Sequence, residues 1–126
     1  MKNTGVNDNL GTVKDDSQLV KIINDAIADK KGINTKILDI SRISSIADYF
    51  IITSGSNENQ IQAIADSVDN AMNREKRDIK SREGFKNAGW VLMDYGSIVV
   101  HIFSGDDREF YDLERIWSDG ISVEVS

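Results

Sequence analysis

Residues 47–66, ADYFIITSGSNENQIQAIAD, change their apolar period half-way along. Asp48 to Thr53 is short and rich in aromatic and β-branched residues, which suit a strand. Tyr49 to Ile52 is an unbroken apolar run, so burial on both faces is expected. Ser54-Gly55-Ser56-Asn57 then supplies turn chemistry. Beyond it, Ile61, Ile64, Ala65, Val68 and Met72, with Ala71 alongside, recur at the spacing of one helical face. A buried strand that runs directly into an amphipathic helix is a unit of a helix-covered sheet.

Towards the N-terminus, Leu19, Ile22, Ile23, Ala26 and Ile27 form another helical stripe. Asp15, Asp16 and Ser17 offer N-cap and first-turn chemistry, Lys30 and Lys31 fall in the last turn, and Gly32 fits the residue just past the end. Thr35 to Ile40 reads as a strand, followed by the loop SRISSIA.

Towards the C-terminus, the second helix frays over Arg74 to Asp78, and Ile79 opens a short edge strand before the Glu83-Gly84 turn. Trp90 to Asp94 and Ile98 to Phe103 read as strands, joined through Tyr95-Gly96 as a tight antiparallel hairpin. Gly105-Asp106-Asp107 introduces a third helix, with Phe110, Leu113 and Trp117 on one face, Ile116 adjacent and Gly120 at its end. The last residues, ISVEVS, fit a short strand or a tail.

The expectation is a single α/β (α+β) domain with a mixed central sheet flanked by helices. Residues 1–16 form a polar arm, 17–120 the domain and 121–126 a tail. A right-handed crossover is expected between Asp48 and Asp94 if those strands are parallel neighbours.

The chain of 126 residues contains no cysteine, which excludes a disulfide framework and thiolate chemistry. Its N-terminus has no apolar signal core, and no apolar run approaches the roughly 20 residues of a membrane span. A cytoplasmic protein without membrane contact is expected. A net charge of −6 argues against broad contact with nucleic acid and suits a basic protein partner, although acidity also serves solubility alone.

Little in the chain points to catalysis. His101, the single histidine, shares a strand face with Val99 and Phe103 and reads as a half-buried histidine satisfied by one hydrogen bond. Ser54-Gly55-Ser56, between strand and helix, is where a phosphate would meet free N–H groups, but the same residues are ordinary turn and cap residues. That turn resembles the one in nucleotidyltransferases, which need paired acids on a neighbouring strand for Mg²⁺. Here Asp39, Asp48 and Asp94 are isolated at strand ends. No catalytic residue, metal or cofactor is expected. The acids of the last helix read as a solvated face, with ion pairs such as Asp112 with Arg115 or Arg108 with Asp112. Trp117 reads as a core filler, while Trp90 suits core or interface equally.

Three segments together carry a family resemblance: residues 47–66, EGFKNAGWVLMDYGSIVVHIF at 83–103, and REFYDLERIW at 108–117. In order and spacing they resemble the Iojap/RsfS family of ribosomal silencing factors, from about Leu19 to Asp119. Ser97, where relatives carry an acid, and the missing proline near Phe103-Ser104-Gly105 depart from the pattern. The resemblance implies a nucleotidyltransferase-like sheet without catalysis; organellar relatives exist, and the lack of a transit-like segment favours a bacterial source. It implies docking on the large ribosomal subunit through large-subunit ribosomal protein fourteen, which blocks small-subunit joining and represses translation. The family motif falls on Trp90, Val91, Leu92, Met93, Asp94 and Tyr95, the expected contact surface. Tyr49, Arg108, Glu109, Tyr111 and Asp112 come second, and could instead hold the last helix to the sheet. Alternatives are a nucleotide-binding enzyme and an assembly adaptor that does not block joining. An exposed apolar patch would also serve a homodimer.

Overall fold

The capping residues of the first helix behave as the sequence suggests. In the computed structural model, which describes residues 14–84 and 89–125, α1 spans Asp16–Asp29. Asp15 accepts from the Gln18 N–H at 3.0 Å, and the Gln18 side chain accepts from the Asp15 N–H at 2.9 Å. This reciprocal capping box satisfies two otherwise orphaned donors. Leu19, Val20, Ile23, Ala26 and Ile27 are buried along the helix, with Ile22 at the margin.

The helix end differs from expectation. Lys31, with φ of 62°, takes the left-handed position, and Gly32 does not. Gly32 is needed for closeness instead: a Cβ there would collide with the Ile27 side chain and meet Thr53 Oγ1 at 2.7 Å.

Strands β1 (Ile33–Asp39) and β2 (Tyr49–Gly55) precede α2 (Glu58–Arg74). Strands β3 (Ser81–Glu83), β4 (Trp90–Asp94) and β5 (Ile98–Ser104) follow. Helices α3 (Gly105–Tyr111) and α4 (Leu113–Ile116) and the short strand β6 (Ile121–Ser122) complete the chain. The sheet order is β3-β4-β5-β2-β1-β6. β2 and β5 pair in parallel from Tyr49 opposite Ile98 to Gly55 opposite Ser104, and the other pairs are antiparallel. The parallel neighbour of β2 is therefore β5, not β4. This central position explains the apolar run in β2: Ile51 and Ile52 are fully buried on opposite faces.

Helices α1 and α2 cover one face, against Ile37, Ile51, Val91, Met93, Ile98, Val100 and Ile102. The expected α2 stripe, Ile61 to Met72, is buried there throughout. The opposite face has a smaller cluster of Ile40, Ala47, Phe50 and Val99, flanked by Leu38, Leu92 and Trp117.

The expected single third helix is broken. Asp112 adopts a left-handed conformation, with φ and ψ both 49°, and separates α3 from α4. Its N–H closes α3 on the Arg108 carbonyl at 2.9 Å, and the chain turns so that Trp117 meets the Phe50 ring edge-on at 5.2 Å. Trp117 is half-buried, and Ile116 is exposed. The Phe110 side chain lies outside the described residues. Ser104, not Asp106 or Asp107, caps α3, accepting from the Asp107 N–H. Residues 121–122 pair with Leu38 and Asp39, so the C-terminal segment adds an edge strand rather than only a tail. Of the polar arm, residues 1–13 lie outside the described residues.

Candidate functional site: an aromatic strip on the open sheet face

Alternation along β4 divides the expected contact run in two. Val91 and Met93, 1% and 0% exposed, point into the helix-side core. They offer no surface, which corrects their assignment as contact residues: the pleat sends every second residue to the other face. Trp90, Leu92 and Asp94 stay half-exposed on the face away from α1 and α2.

Trp90 anchors an aromatic group on that face. It stacks on Phe103 at 4.9 Å between ring centroids and packs obliquely on Tyr111 at 4.8 Å and His101 at 5.7 Å. The antiparallel register sets Trp90 opposite Phe103 and Leu92 opposite both His101 and Glu83. The result is an apolar strip of Trp90, Leu92 and Tyr111, bordered on the sheet by Glu83 and Asp94. Tyr111, 42% exposed, carries the strip onto α3.

The remaining expected residues lie elsewhere. Tyr95 faces α2, and its hydroxyl donates to Asp69 at 3.0 Å. Burial, followed by the bond to Asp69, pushes its phenol far above the usual range. Tyr49 is half-buried beside the helix-side core, and its phenol is raised by burial and then by Asp39, Asp16, Asp48 and Asp15. Asp94 builds the hairpin turn by accepting from the Gly96 N–H at 2.7 Å. Glu109 is exposed on α3. Asp112 accepts from Arg115 at 2.9 Å, the expected helix pair.

Arg108 does not pair with Asp112. Its guanidinium donates to Glu114 at 2.9 and 3.2 Å, to the carbonyls of Ile33 and Asn34, and to Ser54 Oγ. It thereby ties α3 and α4 to the ends of β1 and β2, as the alternative reading of this residue required.

A crevice of about 630 Å³ opens there, lined by Ser54, Ser56, Ser104, Arg108 and Glu114 among others. Two of its donors, the Ser56 N–H and hydroxyl, are engaged. Gln60 Oε1 accepts from both the Ser56 N–H and hydroxyl, while its Nε2 donates to the carbonyls of Lys30 and Lys31. Within the Ser54-Gly55-Ser56 turn, Gln60 thus occupies the Ser56 donors and Arg108 holds the Ser54 hydroxyl oxygen. Among the described residues, no three His, Asp or Glu side chains converge to hold a metal.

His101 makes the one hydrogen bond expected of it but is buried rather than half-buried, and its Nε2 has no partner among the described residues. Its Nδ1 accepts from Trp90 Nε1–H at 3.1 Å, and the ring is 4% exposed. Counting outward from the Tyr95-Gly96 turn would have placed the two side chains near each other. Burial holds the imidazole down at about 4, from an ordinary 6.5. Between those values the unfolded chain binds more protons than the folded one, so stability falls with acidification through that window. We expect a loss of about 2 kcal/mol between about pH 7.5 and about pH 5 from this residue. Urea titrations at the two pH values check it, since a His101→Leu variant lacks this component.

Most of this architecture is shared with known proteins. Residues 13–126 match the family model described as "Ribosomal silencing factor during starvation". The chain is 40% identical over 108 residues to the ribosomal silencing factor RsfS of Halalkalibacterium halodurans, spanning 86% of this chain and 92% of that one. It is 41% identical over 101 residues to RsfS of Bacillus subtilis, spanning 80% and 86%. A crystal structure of a Chromobacterium violaceum protein superposes with a TM-score of 0.81 at 31% identity, covering 83% of this chain and 88% of that one. With a family match over nearly its full length and relatives at this identity, the chain belongs to the ribosomal silencing factor family.

Proposed function

We propose that this protein docks on the large ribosomal subunit through large-subunit ribosomal protein fourteen and excludes the small subunit sterically, lowering translation. The observation that carries this reading is the strip of Trp90, Leu92 and Tyr111 on the sheet face that the two long helices leave open. Aromatic anchors inside a polar border are what a standard interface of roughly 800 Å² per partner requires. Glu83 and Asp94 border the strip, and the net charge of −6 favours encounter with a basic ribosomal protein. Steric exclusion needs a rigid body and no chemistry, and the engagement of the Ser56 donors by Gln60 supports that reading over nucleotide turnover. Val91 and Met93 serve the surface indirectly, by fixing β4 from behind.

The test is co-sedimentation of purified protein with isolated large subunits, followed by reassociation with small subunits. We expect binding and reduced joining. Trp90→Ala should weaken docking by about 2 kcal/mol, roughly thirtyfold, with its folding checked by urea titration. Binding that leaves joining at its normal extent would convert the reading to that of an assembly adaptor.

A further inference from the structure

We propose that His101 is a positioning residue for docking: its Nδ1 fixes the plane of the Trp90 indole on the open sheet face. The proposal rests on the docking role of Trp90 given above.

An indole N–H only donates, so the facing nitrogen of His101 must accept. At 3.1 Å that bond assigns the lone pair to Nδ1 and the proton to Nε2. The imidazole is itself held on several sides. Phe50 meets it edge-to-face at 4.8 Å, Phe103 lies nearly parallel to it at 6.2 Å, and only 4% of the residue is exposed. Nε2 has no hydrogen-bond partner among the described residues. A buried polar ring in an aromatic cluster is costly unless its remaining bond does something that carbon would not. Here that bond reaches the half-exposed Trp90. Stacking on Phe103 and contact with Tyr111 restrict where the indole lies but permit it to slide or turn over. One directional bond at Nε1 selects a single orientation. A side chain fixed in its bound geometry loses less entropy on association than a mobile one.

The experiment compares His101→Leu and His101→Asn with wild type in the full chain. Asn keeps an acceptor near the place of Nδ1, whereas Leu keeps bulk alone. The first readout is solvent exchange of the Trp90 indole proton by NMR, and the second is affinity for isolated large subunits. His101→Leu should speed that exchange roughly tenfold, as expected for one lost hydrogen bond, and weaken docking by a similar factor. His101→Asn should restore both to within roughly threefold of wild type. If the Leu variant does not fold, His101→Phe, which keeps a ring between Phe50 and Phe103 and lacks the acceptor, takes its place with the same two results expected. Unchanged exchange in His101→Leu, or an Asn variant as impaired as Leu, overturns the proposal. Weakened docking by Trp90→Ala alongside unaltered docking by His101→Leu overturns it alone. Undiminished docking by Trp90→Ala overturns the docking reading, and the positioning role with it.

Discussion

Arg108→Ala should destabilise the protein by about 3 kcal/mol, the largest loss expected from any single polar side chain described above. The guanidinium is 12% exposed and holds Glu114, two main-chain carbonyls of β1 and the Ser54 hydroxyl at once. Removing it leaves the half-buried Glu114 carboxylate without its ion pair and the part-buried Ser54 hydroxyl without its donor, while the exposed Ile33 and Asn34 carbonyls turn to water. Surface ion pairs such as Lys21 with Asp25, both more than half exposed, are worth a fraction of that. The loss should be uneven. Amides of α3 and α4 should lose hydrogen-exchange protection before those of α1 and α2, because the latter pack on the other side of the sheet. Uniform loss across both layers, or a change below about 1 kcal/mol by urea titration, would contradict this account.

Met93→Ala should cost about 3 kcal/mol as well, for an unrelated reason. Met93 is fully buried between β4 and the helices, so truncation removes apolar contact and leaves a cavity that neighbours fill only in part. Leu92→Ala, one residue away on the half-exposed face, should cost much less stability and should weaken docking instead. The pair separates support from contact within two adjacent residues. Urea titration and subunit co-sedimentation, run on both variants, give the comparison. A Met93→Ala protein that stays as stable as wild type would mean that the pleat assignment of β4 is wrong.

These two sites show what the sequence made legible. The α2 stripe from Ile61 to Met72 and the doubly buried β2 follow from periodicity, and both stand as expected. The Tyr95-Gly96 hairpin follows from turn chemistry and also stands. The broken third helix was hidden, because nothing local in REFYDLERIW marks Asp112 as left-handed. The break lies between Arg108 and Glu114, which pair across it while Arg108 also reaches residues far away in the chain, Ile33 and Asn34. The pairing of β2 with β5 was hidden for the same reason: periodicity gives faces, not neighbours. In the candidate site, a contiguous run was legible from Trp90 to Tyr95, but a strand shows only alternate residues to one side. Tyr111 enters from α3, and Glu83 from β3, through tertiary placement alone.

The strand order also constrains how the protein is made. β2 lies at the centre of the sheet, yet one of its neighbours, β5, is separated from it in sequence by α2, β3 and β4. A nascent chain that has produced α1, β1, β2 and α2 can form the β1–β2 pair and dock the two helices. It then carries a bare hydrogen-bonding edge, apolar on both faces, until β5 is synthesised. Closure is therefore a late and non-local event, slower than helix pairing because a long loop must close first. Translational arrest between β2 and β5 leaves an aggregation-prone half-sheet, so the first half of this small domain depends on prompt delivery of the second.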